Sequence, residues 1–112
     1  MTRTRLPHRR RSETRELRHA GHAFSVTVGF DPAAQPLEVF ADGRTSQLGQ
    51  AIADACVAIS LALQQGCPPE VLAQAMGRMP DPARGPSASA PASPLGAIAE
   101  ALAEAAAAGV SA

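Results

Sequence analysis

The chain has 112 residues, a formal net charge of zero and three aromatic side chains, all of them phenylalanine. This length supports one small domain, and the scarcity of aromatic rings excludes a platform for stacking bases or sugars. Seven arginines against two glutamates give the first nineteen residues a net charge of +5, and three arginines against eight acids give the remainder −5.

The basic N-terminal segment, residues 1–19, is predicted to be a disordered arm. Such an arm either attracts the phosphates of nucleotides and nucleic acid or folds back on the acidic body, and both alternatives stay open. The candidate anion-binding residues are Arg9, Arg10, Arg11, Arg15 and Arg18.

Two strands are predicted after the arm. Phe24, Val26, Val28 and Phe30 alternate with small or polar residues, the period of two that gives a strand one apolar face. The prolines within residues 31–36 interrupt the ladder, so residues 37–40 can pair back as a hairpin.

A long amphipathic helix follows, capped by Thr45 or Ser46 and ended by Gly66. Val57 and Leu61 lie on a different side of this helix from its main apolar stripe, so we expect another element or a second copy of the chain to pack there. They are the candidate partner-binding residues. The main stripe consists of Leu48, Ile52, Ala55, Ile59 and Leu63.

A second helix is expected to begin at Pro69, because proline suits the first turn of a helix. Its predicted buried residues are Val71, Leu72, Ala75 and Met76. Residues 81–94 are predicted to be a Pro, Ser and Ala linker, and residues 95–112 an alanine-rich helix that is either docked on the core or frayed.

The predicted fold class is α+β: a two-layer ββαα core over residues 20–80, with a flexible N-terminal arm and a tethered C-terminal helix. A core of about sixty residues is marginal in burial, which favours a homodimer. Neither a membrane span nor a signal-type hydrophobic segment is visible, so the expected location is cytoplasmic.

The sequence gives no candidate for a catalytic, cofactor-binding or metal-binding residue. Cys56 and Cys67 are eleven residues apart, which matches no common zinc or redox pair, and we expect both to be reduced thiols, with Cys56 buried. His19 and His22 are too few ligands for a metal site. A nucleophile with an adjacent base is not identifiable.

Four segments carry a family resemblance: VTVGFD at 26–31, PLEVF at 36–40, ISLALQQG at 59–66 and PEVLA at 69–73. Together they resemble the TSCPD domain over about residues 20–80. A fainter likeness continues through SPLGAIAEAL at 93–102. That domain occurs at the C-terminus of adenosylcobalamin-dependent, class II ribonucleotide reductases and in short stand-alone bacterial proteins.

The chain departs from the longer family members at their cysteines. This chain has no cysteine in the four corresponding segments, which are residues 20–22, 45–47, 78–80 and 93–95. The resemblance therefore does not imply that this chain binds zinc. The resemblance implies a role beside ribonucleoside-diphosphate reductase in deoxyribonucleotide supply and DNA synthesis. We expect binding of a reductase subunit, a nucleotide or nucleic acid, without catalysis or bound adenosylcobalamin. The alternative is a stand-alone nucleic-acid-binding homodimer that uses the arginine arm.

Overall fold

The computed structural model describes residues 11–41 and 46–111, with side chains as far as residue 108. Within these ranges the chain forms a three-stranded sheet, a two-stranded ribbon and three α-helices, which confirms the α+β class. In chain order the elements are β1 (Ser12–His19), β2 (His22–Phe30), β3 (Pro36–Ala41), α1 (Gln47–Gln64), α2 (Pro69–Ala75), β4 (Arg78–Pro80), β5 (Ser89–Pro91) and α3 (Pro94–Ser111).

The main sheet is antiparallel in the order β1-β2-β3. β1 and β2 are joined by a two-residue turn in which Ala20 and Gly21 have φ values of 52° and 82°, the left-handed pair that a tight hairpin requires. The structure differs here from the predicted arm, because Ser12–His19 form β1. Strand pairing orders this charged segment without needing a run of apolar residues.

The hydrophobic core lies between one face of the sheet and helices α1 and α3. Its side chains alternate along β2 as the period of two predicts, and Phe30 is the largest fully buried one. The residues of this cluster are Val26, Val28, Phe30, Val39, Ala41, Ile52, Cys56, Ile59, Leu63, Ile98, Leu102 and Ala105.

Helix α1 begins where the hydroxyl of Ser46 accepts a hydrogen bond from the Gly49 N–H at 3.0 Å. Two residues of its predicted stripe differ in the structure. Leu48 is 41% exposed, because it lies in the first turn and lines an open pocket of about 350 Å³ between α1 and the sheet. Cys56, rather than the half-buried Ala55, occupies the buried position between Ile52 and Ile59.

Helix α2 is only partly covered. Leu72 packs against the core, but Val71 is 49% exposed and Ala75 is exposed, so the predicted buried stripe is wrong at these two residues. The physical reason is length: a helix of seven residues makes less than two full turns and meets mainly α3.

The C-terminal helix α3 is docked, which decides between the two alternatives. Ile98 and Leu102 are fully buried in the core. The predicted linker also differs, because Ser89–Pro91 form β5 and pair with β4, and Pro82–Arg84 make a single 3-10 turn. Three-residue strands are too short to show a sequence period. No helix in the described ranges is long and apolar enough to cross a membrane.

Candidate functional site

An apolar groove lies between β3 and the solvent side of α1. Three large apolar side chains border it: Phe40 is 49% exposed, Val57 is 59% exposed and Leu61 is 41% exposed. We call it the β3–α1 groove. Its volume is about 250 Å³, and its lining residues are Val39, Phe40, Ala41, Ala53, Cys56, Val57, Ser60 and Leu61.

The floor of the groove is fixed by side chains of α1 that cover the edge of β3. The Ser60 hydroxyl accepts a hydrogen bond from the Val39 N–H at 3.0 Å, and its oxygen lies 3.2 Å from the Val39 carbonyl and 2.8 Å from the Cys56 carbonyl. The Gln64 amide donates to the Leu37 carbonyl at 3.3 Å. These bonds hold α1 against β3 and use the backbone groups that a new strand would need at that edge.

The chemistry of the groove is that of a contact surface. Among the residues that the structure describes, its lining contains no charged side chain, and the hydroxyl of Ser60 is engaged by the backbone. A partner can therefore gain free energy here by burying apolar side chains.

Cys56 lies beneath the groove and is unsuited to act as a nucleophile. Burial raises the pKa of its thiol from 9.0 to about 11, so the thiol stays protonated at neutral pH. Both cysteines are free, and Cys67 is half-buried, with its sulfur 3.8 Å from the Pro68 carbonyl oxygen.

The predicted anion-binding arginines are distributed over several contacts. Arg11 donates to Glu13 at 2.8 Å, and its guanidinium lies 4.7 Å from the centre of the Phe30 ring. Arg15 is half-buried, 3.4 Å from the same carboxylate and 3.5 Å from the Ala101 carbonyl. Arg9 and Arg10 lie outside the described residues. Anion binding by the five arginines stays a prediction.

Arg18 lines a second cavity, an open cleft of about 660 Å³ between β1, the β4–β5 ribbon and α3. The Nε2 atom of His19 lies 3.2 Å from the Pro91 carbonyl at this cleft. The other charged residues of its described lining are Arg84, Asp81, Glu100 and Glu104. The cleft therefore carries both signs of charge and has no single electrostatic preference.

The cleft lies beside segments where the longer family members carry cysteines. Ala20, Met79 and Pro80 line it, so two of the four segments without cysteine meet at the cleft, and the segment 93–95 begins directly after Ala92, another lining residue. No cysteine lines the cleft, and no group of three or more His, Cys, Asp or Glu that could hold a metal occurs in residues 11–41 and 46–111. The residues present do not fit a zinc ion.

The sequence reasoning missed Phe40 as part of the groove. A signal was available: Val39 and Phe40 are adjacent in a strand, so only one of them can face the core. Val39 is buried, and Phe40 lies on the opposite face. Residue 45, the other predicted helix cap, and the turn before it lie outside the described residues.

Comparison with known proteins finds a matching family model. The family model described as TSCPD domain covers residues 1–106, which extends beyond the likeness expected over residues 20–80 and includes β1 and most of α3. No curated protein and no solved structure matches the chain.

Proposed function

Because this chain belongs to the TSCPD domain family, which is associated with ribonucleotide reductases, we propose that it is an accessory module that binds a reductase subunit. It acts by binding this subunit and catalyses no reaction by itself. Its role lies in deoxyribonucleotide supply for DNA synthesis. The observation that carries this proposal is the exposure of Phe40, Val57 and Leu61 around one groove whose described lining is uncharged.

The groove has the properties of the centre of a protein–protein contact. Large apolar side chains at the centre of an interface contribute most of the binding free energy, and charged residues are depleted there. Phe40, Val57 and Leu61 come from two elements that Ser60 holds rigidly together, so little conformational entropy is lost on binding.

The chain is proposed to have no catalytic activity when it is alone. Cys56 is a buried thiol with a raised pKa, and no hydrogen bond joins Cys67 to a basic side chain within the described ranges. Adenosylcobalamin, the cofactor of the related full-length enzymes, is expected on the partner and not on this chain.

A binding measurement with groove variants tests the proposal. Leu61→Glu places a carboxylate in the apolar contact, and we expect the affinity for a purified adenosylcobalamin-dependent reductase subunit to fall at least about tenfold, because burying an unpaired charge costs more than 1.4 kcal/mol. Surface plasmon resonance with the immobilised full-length chain measures the change.

Val71→Glu is the matched control. Val71 is also an exposed apolar residue on a helix, at 49% exposure, but it does not line the groove. Its variant should bind the reductase subunit as the unsubstituted chain does. Absence of any binding by the unsubstituted chain, or equal losses in the two variants, contradicts the proposal.

A further inference from the structure

The two edges of the three-stranded sheet are not equivalent. On β3, Ser60 engages the outward N–H and C=O of Val39, and Gln64 engages the outward carbonyl of Leu37. On β1, the hydrogen bond from the Phe30 N–H to the Arg11 carbonyl fixes which residues point toward β2. The alternation of an antiparallel ladder then directs the backbone groups of residues 12, 14, 16 and 18 away from the sheet.

These outward groups of β1 have no hydrogen-bond partner in the part of the chain that the structure describes. An edge with a row of unused N–H and C=O groups is a template on which another strand can pair. The second half of β1 with the turn residue after it, residues 17–20, also borders the open cleft of about 660 Å³.

The charges on β1 favour a second copy of β1 as the added strand. Glu16 and Arg18 both lie on the outer face of the sheet and both are exposed. If a second β1 pairs antiparallel around Leu17, Glu16 of each copy lies opposite Arg18 of the other, in two hydrogen-bonded pairs. Registers centred on Glu16 or on Arg18 place like charges opposite each other.

The side chains on the core-facing side of β1 are compatible with the same register, centred on Leu17. Leu17 is half-buried, packs on the core cluster beside Phe24 and would meet the Leu17 of the second copy across the two-fold axis. Glu13 and Arg15 also point inward, a feature that discourages strand addition when the charges are unpaired. Here the two charges are paired with each other at 3.4 Å.

We infer that the chain forms a two-fold homodimer in which the β1 strands pair antiparallel around Leu17 and join the two sheets into one of six strands. This interface is separate from the β3–α1 groove, which stays open to another protein. It does not depend on the proposed function.

Charge reversal tests the register. Glu16→Arg and Arg18→Glu, each alone, put like charges opposite in both pairs, and we expect each to raise the dimer dissociation constant at least about tenfold. The double variant restores both opposite-charge pairs and should restore dimerisation. Sedimentation equilibrium over a wide range of protein concentration gives the constants, and circular dichroism shows that each variant is folded.

Asp54→Arg is the control, because it reverses an exposed charge on α1, away from β1. It should leave the dissociation constant unchanged. A chain that is monomeric at every concentration overturns the inference, and so does a double variant that stays folded but fails to restore the dimer.

Cross-linking gives a second measurement that does not depend on charge. In a Cys67→Ser background, Leu17→Cys places two thiols opposite each other in a non-hydrogen-bonded pair, where side chains are closest, so mild oxidation should give a covalent dimer. Thr14→Cys is the control, since its counterpart in the second copy would be Ala20 and no symmetric disulfide can form. Equal cross-linking of both variants contradicts the register.

Discussion

At the scale of single residues, Ser60 determines how the groove is built. Its hydroxyl bonds to the backbone of β3 and to its own helix, and the residue is buried. The sequence gives no sign of this role, because a serine in a helix usually faces solvent or bonds within its own helix. The contact depends on the position of β3 twenty-one residues earlier, which only the tertiary fold sets.

Removing that hydroxyl should weaken the protein. Ser60→Ala leaves the buried Val39 N–H without its partner, so we expect the free energy of unfolding to fall by about 1–3 kcal/mol. Urea denaturation measures it. Gln50→Ala removes an exposed side-chain bond to Asp54 and should change stability by less than about 0.5 kcal/mol. Similar losses of unfolding free energy in both variants would show that the buried Ser60 hydrogen bond stabilises the fold no more than an exposed one.

The Cys56 thiol makes stability depend on pH in the alkaline range. Its pKa is raised to about 11 in the folded chain, so the unfolded chain loses the thiol proton first as the pH rises. Stability is therefore complete below pH 9 and falls by about 1–2 kcal/mol as the pH rises toward 11. Lysine and tyrosine, which ordinarily titrate there, do not occur in the chain.

Denaturation curves across this pH range for the unsubstituted chain and for Cys56→Ala check the effect. The variant should be less stable at pH 8 because it loses buried atoms, but its stability should fall less steeply with pH. Parallel pH profiles for the two proteins would contradict the account.

At the scale of elements, the sequence predicted the two strands, the long helix and the last helix by their periods. Val26, Val28 and Phe30 are buried with the alternation expected, and Ile98 with Leu102 form the buried side of α3. β1 was missed because its inward residues include Glu13 and Arg15, so its pattern is charged on both faces. Residues 12–19 are recognised as a strand only from their pairing with β2.

The docking of α3 predicts a large effect at Leu102. Leu102→Ala should lower the free energy of unfolding by about 2–5 kcal/mol, because the side chain is fully buried between α1, α3 and the sheet. Leu48→Ala is the comparison: at 41% exposure it should cost less than about 1 kcal/mol. A small effect at Leu102 would mean that α3 adds little to the core.

At the scale of the whole molecule, the described residues present two distinct surfaces on one small core: an apolar groove beside β3, and the edge of β1, whose outward groups pair with no other described residue. The second apolar patch at Val57 and Leu61 was predictable from helix geometry, since both residues lie off the main stripe. The groove itself was not, because Phe40 joins the patch only when β3 packs beside α1.

The most direct test of the central claim, that the β3–α1 groove is where a reductase subunit binds, is a map of the contact in solution. Nuclear magnetic resonance of the isotope-labelled chain, titrated with the purified subunit, should show the largest changes at Phe40, Val57 and Leu61, with Val71 unaffected. Changes confined to the exposed face around Arg18, or none at saturating subunit, would contradict it.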